Sequence, residues 1–176
     1  MGRVLPGGVV AWFVLSFPVC LWDALFVLLR PRTMPGGDLA WFWGPYETYI
    51  AVDRRYQDLN DGFNIAQAWM NLFEIAVGLI ALFLHFRGRQ SAHLFAFSSQ
   101  LMCFAKTVIY FLSDHVTGWA YTKHNDLQSF WLLFAIPSGV WLVFSLWTVI
   151  VEGGYLAKAL SRSPAGDRKQ KHTKKK

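Results

Sequence analysis

Four long apolar runs, separated by polar connections, set the pattern of this chain: residues 9–29, 65–86, 92–112 and 127–151. A helix rises about 1.5 Å per residue, so about 20 residues cross a hydrocarbon layer about 30 Å thick. Every run meets that length, and the pattern predicts an all-α integral membrane protein, a four-transmembrane-helix bundle with an intramembrane pocket. Pro18 interrupts the first run near Asp23; a proline removes one backbone hydrogen bond and opens space beside it. The connection over residues 30–64 begins with the turn-forming PRTMPGGD and continues through Trp41, Phe42, Trp43, Tyr46 and Tyr49. Such rings settle at the headgroup boundary, so this segment is expected to lie on the membrane surface or dip into it. Residues 1–8 then form a short N-terminal segment, residues 9–152 the four-span domain, and residues 153–176 a basic tail of low complexity expected to be disordered.

Composition agrees: 54% hydrophobic, 17% aromatic and 16% charged residues exclude an ordinary soluble domain. The net charge of +6 does not point to nucleic acid, because the segment from Glu152 to Lys176, with eight Lys or Arg against two acids, accounts for all of it. Arg3, Arg87, Arg89 and the tail fall on one side of a four-span topology, which predicts cytosolic N- and C-termini and contact of the tail with anionic membrane lipid. The first run is too long for a cleaved leader and is expected to remain in the mature chain. Cys20 and Cys103 lie in apolar runs and are read as reduced packing residues. No histidine or cysteine pair has ligand spacing, and no glycine-rich phosphate loop or nucleophile elbow is present, so no metal and no cofactor is expected.

The polar residues inside the runs carry the functional reading. Glu74 is well inside the second run, and an ionisable group at such a depth costs at least about 2.5 kcal/mol, so it is expected to face the bundle interior. Gln67, Asn71 and Glu74 recur at spacings of four and three and share one helical face. Counted from the non-cytosolic side, Asp23, Lys106, Ser138 and Trp141 reach a similar zone. Charges of both signs from three helices converge there. Lys106 is open to three readings: a structural ion pair, a side chain reaching the interface, or a site residue. His85 and His93 are expected to contact headgroups, while His115 and His124 lie in the far loop.

Three motifs carry a resemblance: Tyr49-x-x-x-Asp53-x-Arg55-Tyr56; Tyr110-Phe111-Leu112-Ser113-Asp114-His115-x-x-Gly118-Trp119; and Pro137-Ser138-Gly139-Val140-Trp141-Leu142-Val143. Over about residues 10–152 the chain resembles the emopamil-binding protein family, which includes sterol double-bond isomerases and the sigma-two receptor, with a pattern around Asp61 to Glu74 similar to fungal members. The resemblance implies a membrane pocket for a sterol or related terpenoid, an endoplasmic reticulum location, and acid/base isomerisation through a carbocation. It places Glu74 and Asp23 in the catalytic positions and Trp141 over the cation; Ser138, Asn71, Gln67, Tyr110 and Lys106 are read beside them as candidate substrate contacts, Lys106 with no counterpart in the family. Val19 stands where the isomerases carry a histidine, Ser138 where they carry an asparagine, and Asp23 where they carry a glutamate. A protonation-initiated terpenoid cyclase and a non-catalytic sterol-binding or trafficking protein remain open alternatives, as does a homodimer.

Overall fold

The computed structural model describes residues 4–161, so Arg3 and most of the basic tail lie outside the described residues. The predicted four-helix architecture is present: α1 (Gly7–Leu28), α4 (Gly62–Phe86), α5 (Ala92–Val116) and α6 (Leu127–Ser161) are each long and apolar enough to span a membrane. Two short helices, α2 (Tyr46–Val52) and α3 (Arg54–Gln57), fall between α1 and α4. The last helix runs ten residues past its predicted end at Val151, because nothing between Val151 and Ser161 breaks a helix except Gly153 and Gly154, which it absorbs.

An aspartate side chain starts each of two spanning helices. The Asp61 carboxylate accepts from the Asn64 N–H at 3.0 Å and opens α4, and Asp126 accepts from the Ser129 N–H at 2.9 Å and opens α6. At the other end, Gly88 adopts φ +67°, and the Arg89 N–H reaches the Leu84 carbonyl at 2.9 Å. That closure turns the chain from α4 into α5 within a few residues.

The spanning helices pack in the order α1, α4, α5, α6, and α1 meets α6 through aromatic side chains such as Trp12 against Trp141 and Phe144. Gly78 of α4 lets the bundle close here, since a Cβ there would lie 2.1 Å from Phe17 Cζ of α1. Outward residues such as Leu15, Phe73, Phe83, Ile109 and Val143 are exposed apolar side chains suited to lipid. Inside, one apolar cluster gathers Val9, Trp12, Phe13, Phe17 and Ile75 near the α4–α5 link. A second gathers Ala24, Phe26, Trp43, Tyr46, Tyr56 and Ala68 at the opposite end.

That second cluster corrects the expectation for two rings of the long connection. Its aromatic group divides: Trp41 and Phe42 are exposed at 80% and 51%, whereas Trp43 and Tyr46 are buried. Trp43 donates its indole N–H to the Trp22 carbonyl at 2.9 Å, and Tyr46 of α2 and Tyr56 of α3 pack against Phe26 of α1, so this segment forms a cap packed onto the bundle. The histidine expectation is also corrected. His85 is buried, and its Nδ1 accepts the Leu5 N–H at 2.9 Å; His93 is buried against Glu152 and stacks on Tyr155. Each ring meets a polar partner from another segment inside the protein, so neither is exposed for contact with headgroups.

Candidate functional site

A cavity of about 310 Å³ lies between the two apolar clusters, walled by α1, α4, α5 and α6 and closed at one end by α2 and α3. Its size is at the lower end of the range of about 300–1,000 Å³ usual for small-molecule sites. Val19, Pro45 and Pro137 line it and are exposed on the outer surface, so the cavity reaches that surface on the side where α1, the cap and α6 meet. Asp23, Gln67, Asn71, Lys106, Tyr110, Ser138 and Trp141, all singled out in the sequence, stand in its wall.

Glu74 does not. It is buried on the same face of α4 as Gln67 and Asn71, but it lies behind Lys106, whose Nζ is 3.4 Å from both carboxylate oxygens. Counting residues along α4 put it on the inward face but could not show that a long side chain from α5 would stand before it. Between Glu74 and the cavity stands Lys106.

The cluster is continuous. The Asp23 Oδ1 accepts from the Tyr46 hydroxyl at 2.6 Å and the Tyr56 hydroxyl at 2.8 Å, and its Oδ2 accepts from the Asn71 amide at 3.0 Å. The carbonyl of the same Asn71 side chain accepts from Lys106 Nζ. A carboxylate on one side and an ammonium on the other fix the orientation of that amide. Asn71 thus joins the Asp23 site to the Lys106–Glu74 pair, and the chain of contacts unites α1, α4, α5 and the cap. Gln67 braces the same region by donating to the Lys106 backbone carbonyl at 3.2 Å.

Tyr46 and Tyr56 were not identified as partners of Asp23 from the sequence. Their positions depend on a connection folding back onto the bundle, which no hydrophobic period announces; the nearest signal was Tyr56 within the Asp53-x-Arg55-Tyr56 motif. Burial, together with the nearby Asp23 carboxylate, pushes both phenols above their ordinary range, so they remain hydroxyl donors. Tyr49, also pushed up by burial, meets the Ser138 hydroxyl at the cap end of the cavity. Tyr110 donates to Asp53, a fully buried acid whose pKa burial raises to about 6. Behind it, Arg55 pairs with Asp61 at 3.1 Å and lies 3.7 Å from the Tyr121 ring centroid, which holds the cap rigid.

Opposite this polar end, Trp141 is tilted against Trp12 with centroids 5.2 Å apart and gives the cavity an aromatic wall. Cys20 and Cys103 are free, buried thiols that also line it, close to Glu74. The arrangement can hold an apolar molecule with a single polar or cationic centre, and it places a carboxylate, an ammonium and several hydroxyls within its reach. Comparison of the chain with known families, curated proteins and solved structures gave no match.

Proposed function

We propose that this protein is a membrane-embedded acid/base isomerase that shifts a double bond in a sterol or related terpenoid. The observation that carries this reading is the charge balance at the cavity: two carboxylates, Asp23 and Glu74, face one ammonium, Lys106, among spanning helices. An unbalanced charge in such surroundings is costly, and either a proton or a cationic ligand removes the imbalance. Lys106 offsets Glu74, which leaves the proton for Asp23, the carboxylate that touches the cavity.

The steps follow from that assignment. The Asp23 carboxyl gives its proton to one alkene carbon, and the positive charge develops on the other. Tyr46, Tyr56 and Asn71 already point their donors at the carboxylate thus formed, so it needs no reorganisation to be stabilised. The Trp141 face and the new carboxylate stabilise the cation. Breaking a C–H bond beside the cation returns a proton to Asp23, and its electron pair becomes the shifted double bond. No net proton is gained or lost, and no cofactor takes part.

The family resemblance supports the same reading and an endoplasmic reticulum location, and the lysine and arginine distribution supports cytosolic termini. A second reading has its own support: Glu74 stands back from the cavity and Asp23 is held by three donors, an arrangement suited to binding a ligand amine or hydroxyl without turnover. Supplying membranes that contain the protein with a Δ8 sterol in heavy water separates the two. Mass spectrometry should find a Δ7 product carrying solvent deuterium, and Asp23→Asn should lower its formation by about 100-fold or more. Unchanged sterol alongside demonstrable binding of a sterol-like amine would leave the binding reading in its place.

A further inference from the structure

Lys106 combines features that the proton-transfer reading does not use. It is a primary amine in the wall of an apolar cavity, its Nζ is held by the Asn71 carbonyl, and a carboxylate stands 3.4 Å behind it. Carbonyl capture by a lysine needs these parts: an amine within reach of the ligand, a base to take its proton, and a fixed counter-charge for the product. Trp141, Cys20 and Cys103 give the same cavity an apolar wall for the rest of the ligand.

We propose that Lys106 forms a Schiff base with an apolar aldehyde or ketone of isoprenoid type. Glu74 accepts one proton from the ammonium and frees the nitrogen lone pair. The nitrogen adds to the carbonyl carbon, the C=O π pair moves to oxygen, and proton transfers from nitrogen give a neutral carbinolamine. Glu74 returns its proton to the departing hydroxyl, which leaves as water while the nitrogen lone pair forms the C=N bond. Ammonium plus carbonyl becomes iminium plus water. The net charge of the pair stays zero at every stage and the sequence ends as it began, with one positive charge beside the Glu74 carboxylate, and hydrolysis releases the carbonyl by the reverse path.

Geometry favours Lys106 over the other lysine amines among the described residues. Lys123 lies in the polar connection before α6 and Lys158 near the exposed end of that helix, and neither lines the cavity. An exposed amine also forms imines, but water hydrolyses them freely and no wall selects the carbonyl compound. Lys106 instead selects by shape: the ligand must fit a cavity of about 310 Å³ and present its carbonyl at the junction of α4 and α5. This activity shares the cavity with the proposed isomerase but none of its bond changes.

The test uses the purified full-length protein in lipid nanodiscs, with farnesal as the carbonyl probe and borohydride to reduce any imine to a stable amine. Peptide mass mapping of the unmutated protein reads the modified lysine directly, so no variant needs to fold. A reduced adduct at Lys106, suppressed by excess farnesol, is expected, because the alcohol has the same shape but cannot form an imine. Glu74→Gln should slow its appearance by about 10-fold or more, since it removes the proton acceptor, and Lys106→Arg should abolish it. Adducts confined to other lysines, or an adduct at Lys106 that farnesol does not suppress, would overturn the proposal. An adduct without deuterium incorporation into a sterol would remove the isomerase and leave this inference standing; sterol turnover with no adduct would do the reverse.

Discussion

Helix α5 carries two contacts between a basic side chain and a glutamate of another helix, and they differ in their surroundings. At the level of the cavity, Lys106 faces Glu74 of α4; near the α4–α5 link, His93 faces Glu152 of α6. The His93 contact is sealed: Tyr155 stacks on the ring with centroids 4.5 Å apart, and Glu152 is fully buried. The Lys106 contact opens onto a cavity and has a second acid, Asp23, linked to it through Asn71. Both join helices. Only the one with vacant space and an unmatched charge beside it can act on a ligand, so a buried polar pair marks a site when its surroundings are incomplete.

The largest effect that would sharpen this contrast comes from Lys106→Met. It leaves Glu74 without its counter-charge and should cost about 3–5 kcal/mol, seen as a lower melting temperature in detergent. Combining it with Glu74→Gln should recover most of that stability but not ligand binding; failure to recover would mean that the two groups do not act as a pair. Glu152→Ala removes one partner of the sealed contact and should cost about 1–3 kcal/mol. Ligand affinity should be unchanged by this variant, because His93 and Glu152 do not line the cavity. Altered affinity in a folded Glu152→Ala protein would break the division between site and bolt.

The smallest expected effect lies in the cap. Asp53 has a folded pKa of about 6 against an ordinary 3.8, so the folded protein binds the additional proton. Stability from this group is greatest below about pH 4 and declines as pH rises through about 6, the reverse of a salt-bridged acid. Asp53→Asn should flatten that part of the melting curve against pH. An unchanged slope would show that Asp53 does not titrate in this window.

The spans were legible in the sequence because a bilayer imposes a length that few other structures require. The convergence of Asp23, Gln67, Asn71, Lys106, Ser138 and Trp141 was legible because helical rise turns position into depth and spacing turns it into a face. Depth alone misplaced Glu74, since it carries no information about which side chain stands in front. The partners of Asp23 were hidden for another reason: Tyr46 and Tyr56 arrive from a segment whose fold depends on the bundle beneath it. His93 and Glu152 were each read alone at the ends of their runs, and their pairing depends on how α5 and α6 pack.

Helix α6 contains a π-helical turn, Phe130–Ala135, just before Pro137, Ser138 and Trp141. A helix is a screw, and one residue corresponds to about 100° of rotation. The wider turn therefore works as a phase adjuster: it lets Trp131 near its start point outward while Phe134, Ser138 and Trp141, spaced by four and three, turn inward together. Deleting one residue within it would leave the composition of the helix almost untouched and change which of its faces meets the ligand.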